Sequence, residues 1–90
     1  MIKHYKYALD FEVRQTLSLP KGAVILKAGM DKDKKLSIWV DVSQEESDVR
    51  EFYVYGTGHL AEKADKQIFI DTVIDGDFVW HVYEKGYHGT

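Results

Sequence analysis

The chain contains no cysteine, and that absence removes disulfide cross-links, thiolate-bound zinc and thiol nucleophiles together. Proline is nearly as scarce: Pro20 is the only one in 90 residues, so no polyproline tract or proline-rich linker is present. Long apolar runs are missing too. No stretch approaches the roughly 20 apolar residues of a membrane span. The opening Met1-Ile2-Lys3-His4-Tyr5-Lys6-Tyr7 lacks the apolar segment of a secretory signal. These absences lead us to expect a cytoplasmic protein with no membrane attachment. Neither charge sign predominates, because 12 basic residues are interspersed with 15 acidic ones for a net charge of −3. Proteins that grip duplex nucleic acid neutralise phosphates with a basic face, so nucleic acid is not the expected partner.

What the chain does have is aromatic side chains: six Tyr, four Phe and two Trp within a sequence that is 44% hydrophobic. This is the composition of a folded domain, and residues 1–90 are read as a single β domain. A core this small sits close to the stability threshold unless copies associate, so a homo-oligomer is expected.

Period-2 alternation dominates the sequence, as in half-buried strands. Phe11, Val13, Gln15, Leu17 and Leu19 alternate with polar neighbours, as do Leu36, Ile38, Val40 and Val42. Phe52 and Val54 alternate with Tyr53 and Tyr55; Ile68, Ile70, Thr72 and Ile74 with Phe69, Asp71 and Val73; Phe78, Trp80 and Val82 with Val79, His81 and Tyr83. Residues 2–9 and 23–28 are further aromatic or β-branched runs. The punctuation agrees with this reading. Pro20-Lys21-Gly22 is a turn, Asp31-Lys32-Asp33 with Lys34 a charged hairpin tip, and Asp75-Gly76 a type I′ hairpin signal. The prediction is an all-β fold of about seven short antiparallel strands, either a small sandwich or a partly closed barrel. Helix is limited to two weak candidates. Ser43-Gln44-Glu45-Glu46 reads equally as a polar turn, and His59-Leu60-Ala61-Glu62-Lys63-Ala64 is long enough for one or two turns.

The block Gly56-Thr57-Gly58-His59, the closing segment Phe78-Val79-Trp80-His81-Val82-Tyr83-Glu84 and the start Ile2-Lys3-His4-Tyr5-Lys6-Tyr7 resemble a family of short phage and prophage proteins of unassigned function. The resemblance runs over nearly the whole chain. Members often carry proline after the block's His, where this chain has Leu60, and a Gly-Thr pair where it has Asp71-Thr72. The resemblance implies a phage accessory protein acting in the host cytoplasm. Such proteins commonly modulate host enzymes or antiviral defence by binding a protein or sequestering a nucleotide-like signal.

Two groups of residues are candidates for binding. Glycines let backbone N–H groups approach an anion, so Gly56, Thr57, Gly58 and His59 are candidates to hold a small anionic ligand. The alternative is a strand leaving its sheet through a glycine-rich bend. If Phe52 and Val54 face the core, Tyr53 and Tyr55 face outward. Trp39, His81 and Tyr83 are expected to share that outer face, where they would line a ligand or meet a host protein. Parity leaves Trp80 open between core and site. His4, His59, His81 and His88 show no ligand spacing, so neither a metal nor another cofactor is expected. Asp75 and Asp77 flank a turn glycine and are explained by turn chemistry. No nucleophile motif is found, and the chain is read as non-catalytic.

Overall fold

A computed structural model describes residues 2–58 and 66–86. Within them lie seven strands, β1 Lys3–Ala8, β2 Arg14–Pro20, β3 Val24–Met30, β4 Leu36–Val42, β5 Ser47–Gly56, β6 Gln67–Asp75 and β7 Phe78–Lys85. Every pairing is antiparallel, and the strands form a three-stranded sheet in the order β1-β4-β3 and a four-stranded sheet in the order β2-β5-β7-β6. The all-β prediction holds, and the two sheets do not close into a barrel. No α-helix is present among the described residues. Residues 43–46 form a bend and irregular chain, the polar-turn alternative, and the second helix candidate lies outside the described residues.

The strands of both sheets send alternate apolar side chains into a shared interior, to which β1 contributes only the partly buried Tyr7. Leu36, Ile38, Val40 and Val42 from β4 meet Phe52 and Val54 from β5, Val73 from β6, Val82 from β7 and Leu19 from β2 in one apolar cluster. Alternation on the central strands β4, β5 and β7 is therefore what joins the sheets into a single core. The edges β3 and β6 approach each other without a continuous ladder. Each carries a register shift, between Ile25 and Lys27 in β3 and between Phe69 and Asp71 in β6. The Asp71 carboxylate accepts the Ala28 amide at 3.2 Å across this gap. Bulges leave strand groups unpaired and bend the strand, which is the physical reason the sheets stop short of closure.

The turns follow the sequence closely. The Ala23 amide donates to the Pro20 carbonyl at 3.1 Å, and Gly22 has φ +75°, the positive φ that a type II turn requires at its third residue. At the β6–β7 hairpin the ladder runs to Asp75 opposite Phe78, so the central pair is Gly76-Asp77 and not Asp75-Gly76. Gly76 has φ +58° and Asp77 is not among the positive-φ residues, which fits a II′ turn and corrects the I′ expectation by one residue.

The β3–β4 tip is built around Asp31, whose Oδ1 accepts the Asp33 and Lys35 amides at 2.8 and 2.9 Å while Oδ2 accepts Lys6 Nζ at 2.9 Å. The Lys6 contact first, then the Lys35 amide, holds the Asp31 carboxyl at about 2, down from an ordinary 3.8. The unfolded chain therefore takes up this proton at higher pH than the folded one. The resulting stabilisation is complete above 3.8 and is lost as the pH falls towards 2. Urea midpoints of the wild-type protein should drop through that window more steeply than those of Asp31→Asn. Parallel slopes would remove Asp31 from the acid response.

Candidate functional site

The outward face of the four-stranded sheet is unusually aromatic. Antiparallel register places Arg14, Tyr53, Tyr83 and Phe69 in one row across β2, β5, β7 and β6. The neighbouring row holds Tyr55, His81 and Thr72. The rings touch one another. Tyr53 and Tyr55 stack with centroids 6.3 Å apart, and Tyr83 meets Tyr55 edge-on at 5.6 Å and Phe69 at 5.4 Å. Edge-to-face and offset pairs of this kind add to area burial and hold the rings in fixed orientation. Phe69 remains 53% exposed, whereas Tyr55 is buried among its neighbours.

Polar groups pin the same face. The Tyr53 hydroxyl donates to Glu51, which also accepts Arg14 Nε at 2.7 Å. These two hydrogen bonds, Tyr53 first, hold the Glu51 carboxyl below its ordinary range, and Glu51 in turn raises the Tyr53 hydroxyl. Tyr55 donates to Gln67 Oε1 at 3.1 Å. His81 lies between two threonines, with Nε2 2.9 Å from Thr57 Oγ1 and Nδ1 3.2 Å from Thr72 Oγ1. Thr57 spends its hydroxyl proton on the Val79 carbonyl at 3.3 Å, so its oxygen accepts from His81 Nε2–H and Nδ1 accepts from Thr72. The order Thr72 to His81 to Thr57 to Val79 assigns the tautomer.

Of the residues anticipated on an outer face, Tyr53, Tyr55, His81 and Tyr83 are brought together. Trp39 is not. It lies on β4 in the other sheet, opposite Lys6 and Lys27, with Lys27 Nζ 5.4 Å from the ring centroid. Its ring lies beside Gly29, where an added Cβ would meet it at 3.6 Å. Alternation reveals which residues share a strand face but not which sheet the strand joins, and the grouping of Trp39 with the tyrosines is corrected on that ground.

The glycine block is also divided. The Thr57 amide donates to the Val79 carbonyl at 3.0 Å, so both polar hydrogens of Thr57 are committed within the sheet. Gly58 has φ +86°, as the bend leaving the strand requires. His59 lies outside the described residues. Phe69, Gln67 and Thr72 belong to the face but were not anticipated. Strict alternation groups Thr72 with Ile68 and Ile70, and the β6 bulge reverses that parity: Thr72 stands opposite His81, and Val73 is buried.

Trp80 belongs mainly to the interior. It packs against the core cluster, with Phe11 at 4.8 Å and Phe78 at 6.2 Å between ring centroids. Beside it, Gly56, Thr57, Asp77, Phe78 and Val79 help line a concavity of about 380 Å³. No group of three or more metal-ligating side chains occurs among the described residues; His4 instead pairs with Asp41 at 2.5 Å.

Fold and face together define a two-sheet antiparallel β domain that presents a tyrosine-rich sheet exterior. The chain belongs to the family described as a domain of unknown function (DUF7352), whose model matches residues 1–89. No curated protein and no solved structure matches it.

Proposed function

We propose that the protein is a non-catalytic binding module that docks a protein partner on the exterior of the four-stranded sheet. The observation that carries this reading is the contact array of Tyr53, Tyr55, Tyr83 and Phe69, which ends on a half-exposed phenylalanine. Rigid aromatic groups of this kind concentrate binding energy at protein interfaces. A protein is favoured over nucleic acid because the face offers few cations for phosphate: Arg14 is tied to Glu51, and Lys85 on β7 acts on the same carboxylate. The likeness to short phage and prophage proteins supports placing the partner in a host cell, where the module would act as an accessory modulator of a host enzyme or defence system. Sequestration of a small ligand is the second reading, favoured by the concavity that Gly56 and Thr57 line.

A benzophenone photo-crosslinker replacing Phe69 tests the first reading, with the same group replacing Trp39 as the control on the opposite sheet. In the native host, position 69 should give one discrete heterologous adduct that position 39 does not give. Tyr83→Ala introduced beside it should abolish that adduct. An adduct of twice the chain mass would identify a second copy as the occupant and overturn the heterologous reading. Equal labelling from both positions would overturn the site.

A further inference from the structure

The concavity beside Trp80 combines three features. Its walls include two aromatic rings from one strand face: Phe78 and Trp80 lie 22° from parallel and present adjoining flat surfaces. Trp80 Nε1 is buried and meets no acceptor among the described residues. A buried N–H without a partner costs roughly 1–3 kcal/mol, which an incoming acceptor would relieve. The third feature is charge, since Asp77 carries the only charge among the described lining residues. At about 380 Å³ the space is within the ordinary range for a small-molecule site.

We propose that this concavity binds a small planar heteroaromatic molecule that is neutral or cationic. A ring nitrogen would accept from Trp80 Nε1, and an amino group would donate to the Asp77 carboxylate. Phe78 and Trp80 supply the stacking surface, as aromatic side chains do for nucleobases. Phe11 is the ring that a ligand would displace from the indole. It lies against Trp80, it is 48% exposed, and it precedes β2 outside any strand, so no ladder fixes its backbone as β7 fixes that of Trp80. Displacing Phe11 lets a ligand ring take its place on the indole and reach the orphaned N–H. The carboxylate at the rim selects against anions, so the ligand class differs from the one suggested by the Gly56-Thr57-Gly58-His59 block. The stacking surface is distinct from the tyrosine face, because Trp80 and Tyr83 lie on opposite sides of β7, and Thr57 is the residue that touches both sites through its contact with His81.

The test uses adenine as the probe, which offers ring acceptors and an exocyclic amine, with AMP as its anionic counterpart. Each tryptophan gives one indole N–H signal in a ¹H–¹⁵N spectrum, and Trp39→Phe assigns the Trp80 signal. Adenine should shift the Trp80 signal with a dissociation constant of about 1 mM or below, as suits a fragment-sized ligand. The Trp39 signal should stay still. AMP should bind at least about tenfold more weakly, and Asp77→Asn should narrow that gap without unfolding the hairpin, because Asp77 is an exposed turn residue. A Trp80 signal unmoved at about 5 mM adenine would overturn the site. AMP binding as tightly as adenine would overturn the assigned role of Asp77 and the ligand class with it.

Discussion

Glu84→Ala is expected to lower folding stability by about 3–5 kcal/mol, one of the two largest single-residue effects in this chain. Glu84 is 5% exposed and lies on the inward side of β7, opposite Phe52. Both its carboxylate oxygens are taken by Arg50, with Nε to Oε2 at 2.5 Å and Nη2 to Oε1 at 2.7 Å, while Arg50 Nη1 donates to the Ala23 carbonyl. The guanidinium thus ties β5 and β7 to the turn that leads into β3. Removing the carboxylate takes away both hydrogen bonds to Nε and Nη2 of a largely buried guanidinium, and the loss is dominated by the cost of keeping that cation out of water. A domain of this size holds on the order of 5–13 kcal/mol in total, so the variant would be close to half unfolded under mild denaturant. Urea titration at neutral pH measures it directly. The double replacement Arg50→Met with Glu84→Leu should recover most of the loss, since neither charge then needs desolvation. A single variant within about 1 kcal/mol of wild type would show that solvent reaches the pair.

How much of this could be read from the sequence depends on the range of the interaction. The strands around Leu36–Val42, Phe52–Tyr55 and Phe78–Tyr83 announce themselves because alternation is local and each buries one face. The Pro20–Ala23 turn and the Asp31 tip were legible for the same reason, as their chemistry lies within a few residues. The start of β5 was not legible: Ser47, Asp48 and Arg50 look like a loop, and they become strand only because β2 supplies a partner from Arg14 to Pro20. Nor were the bulges at Ile25–Lys27 and Phe69–Asp71 visible, although they set the parity of Thr72 and keep the sheets apart. The same limit applied to the site. Tyr53, Tyr55, His81 and Tyr83 were grouped correctly because β5 and β7 are neighbours, whereas Trp39 was misplaced because sheet membership is decided by long-range pairing. The Arg50–Glu84 pair, 34 residues apart, left no local trace.

Phe52→Ala should cost about 3–5 kcal/mol, and it separates core from surface in a molecule whose aromatic residues occupy both. Phe52 is fully buried in the middle of β5, opposite Gln15 on one side and Glu84 on the other, in the cluster shared with Val54, Val82 and the β4 residues. The strands around it are fixed by their ladders, so the space left by the ring cannot collapse and the cavity penalty adds to the lost transfer energy. Phe69 is chemically the same side chain on the other face, more than half exposed, and Phe69→Ser should change stability by no more than about 0.5 kcal/mol. Paired urea titrations of the two variants therefore test the assignment of faces on which the docking proposal depends. A large loss for Phe69→Ser would mean that the tyrosine face is a second core whose outer layer the domain itself supplies. A small loss there beside a large one for Phe52→Ala would leave an aromatic surface that contributes little to folding, as expected of a surface kept for a partner.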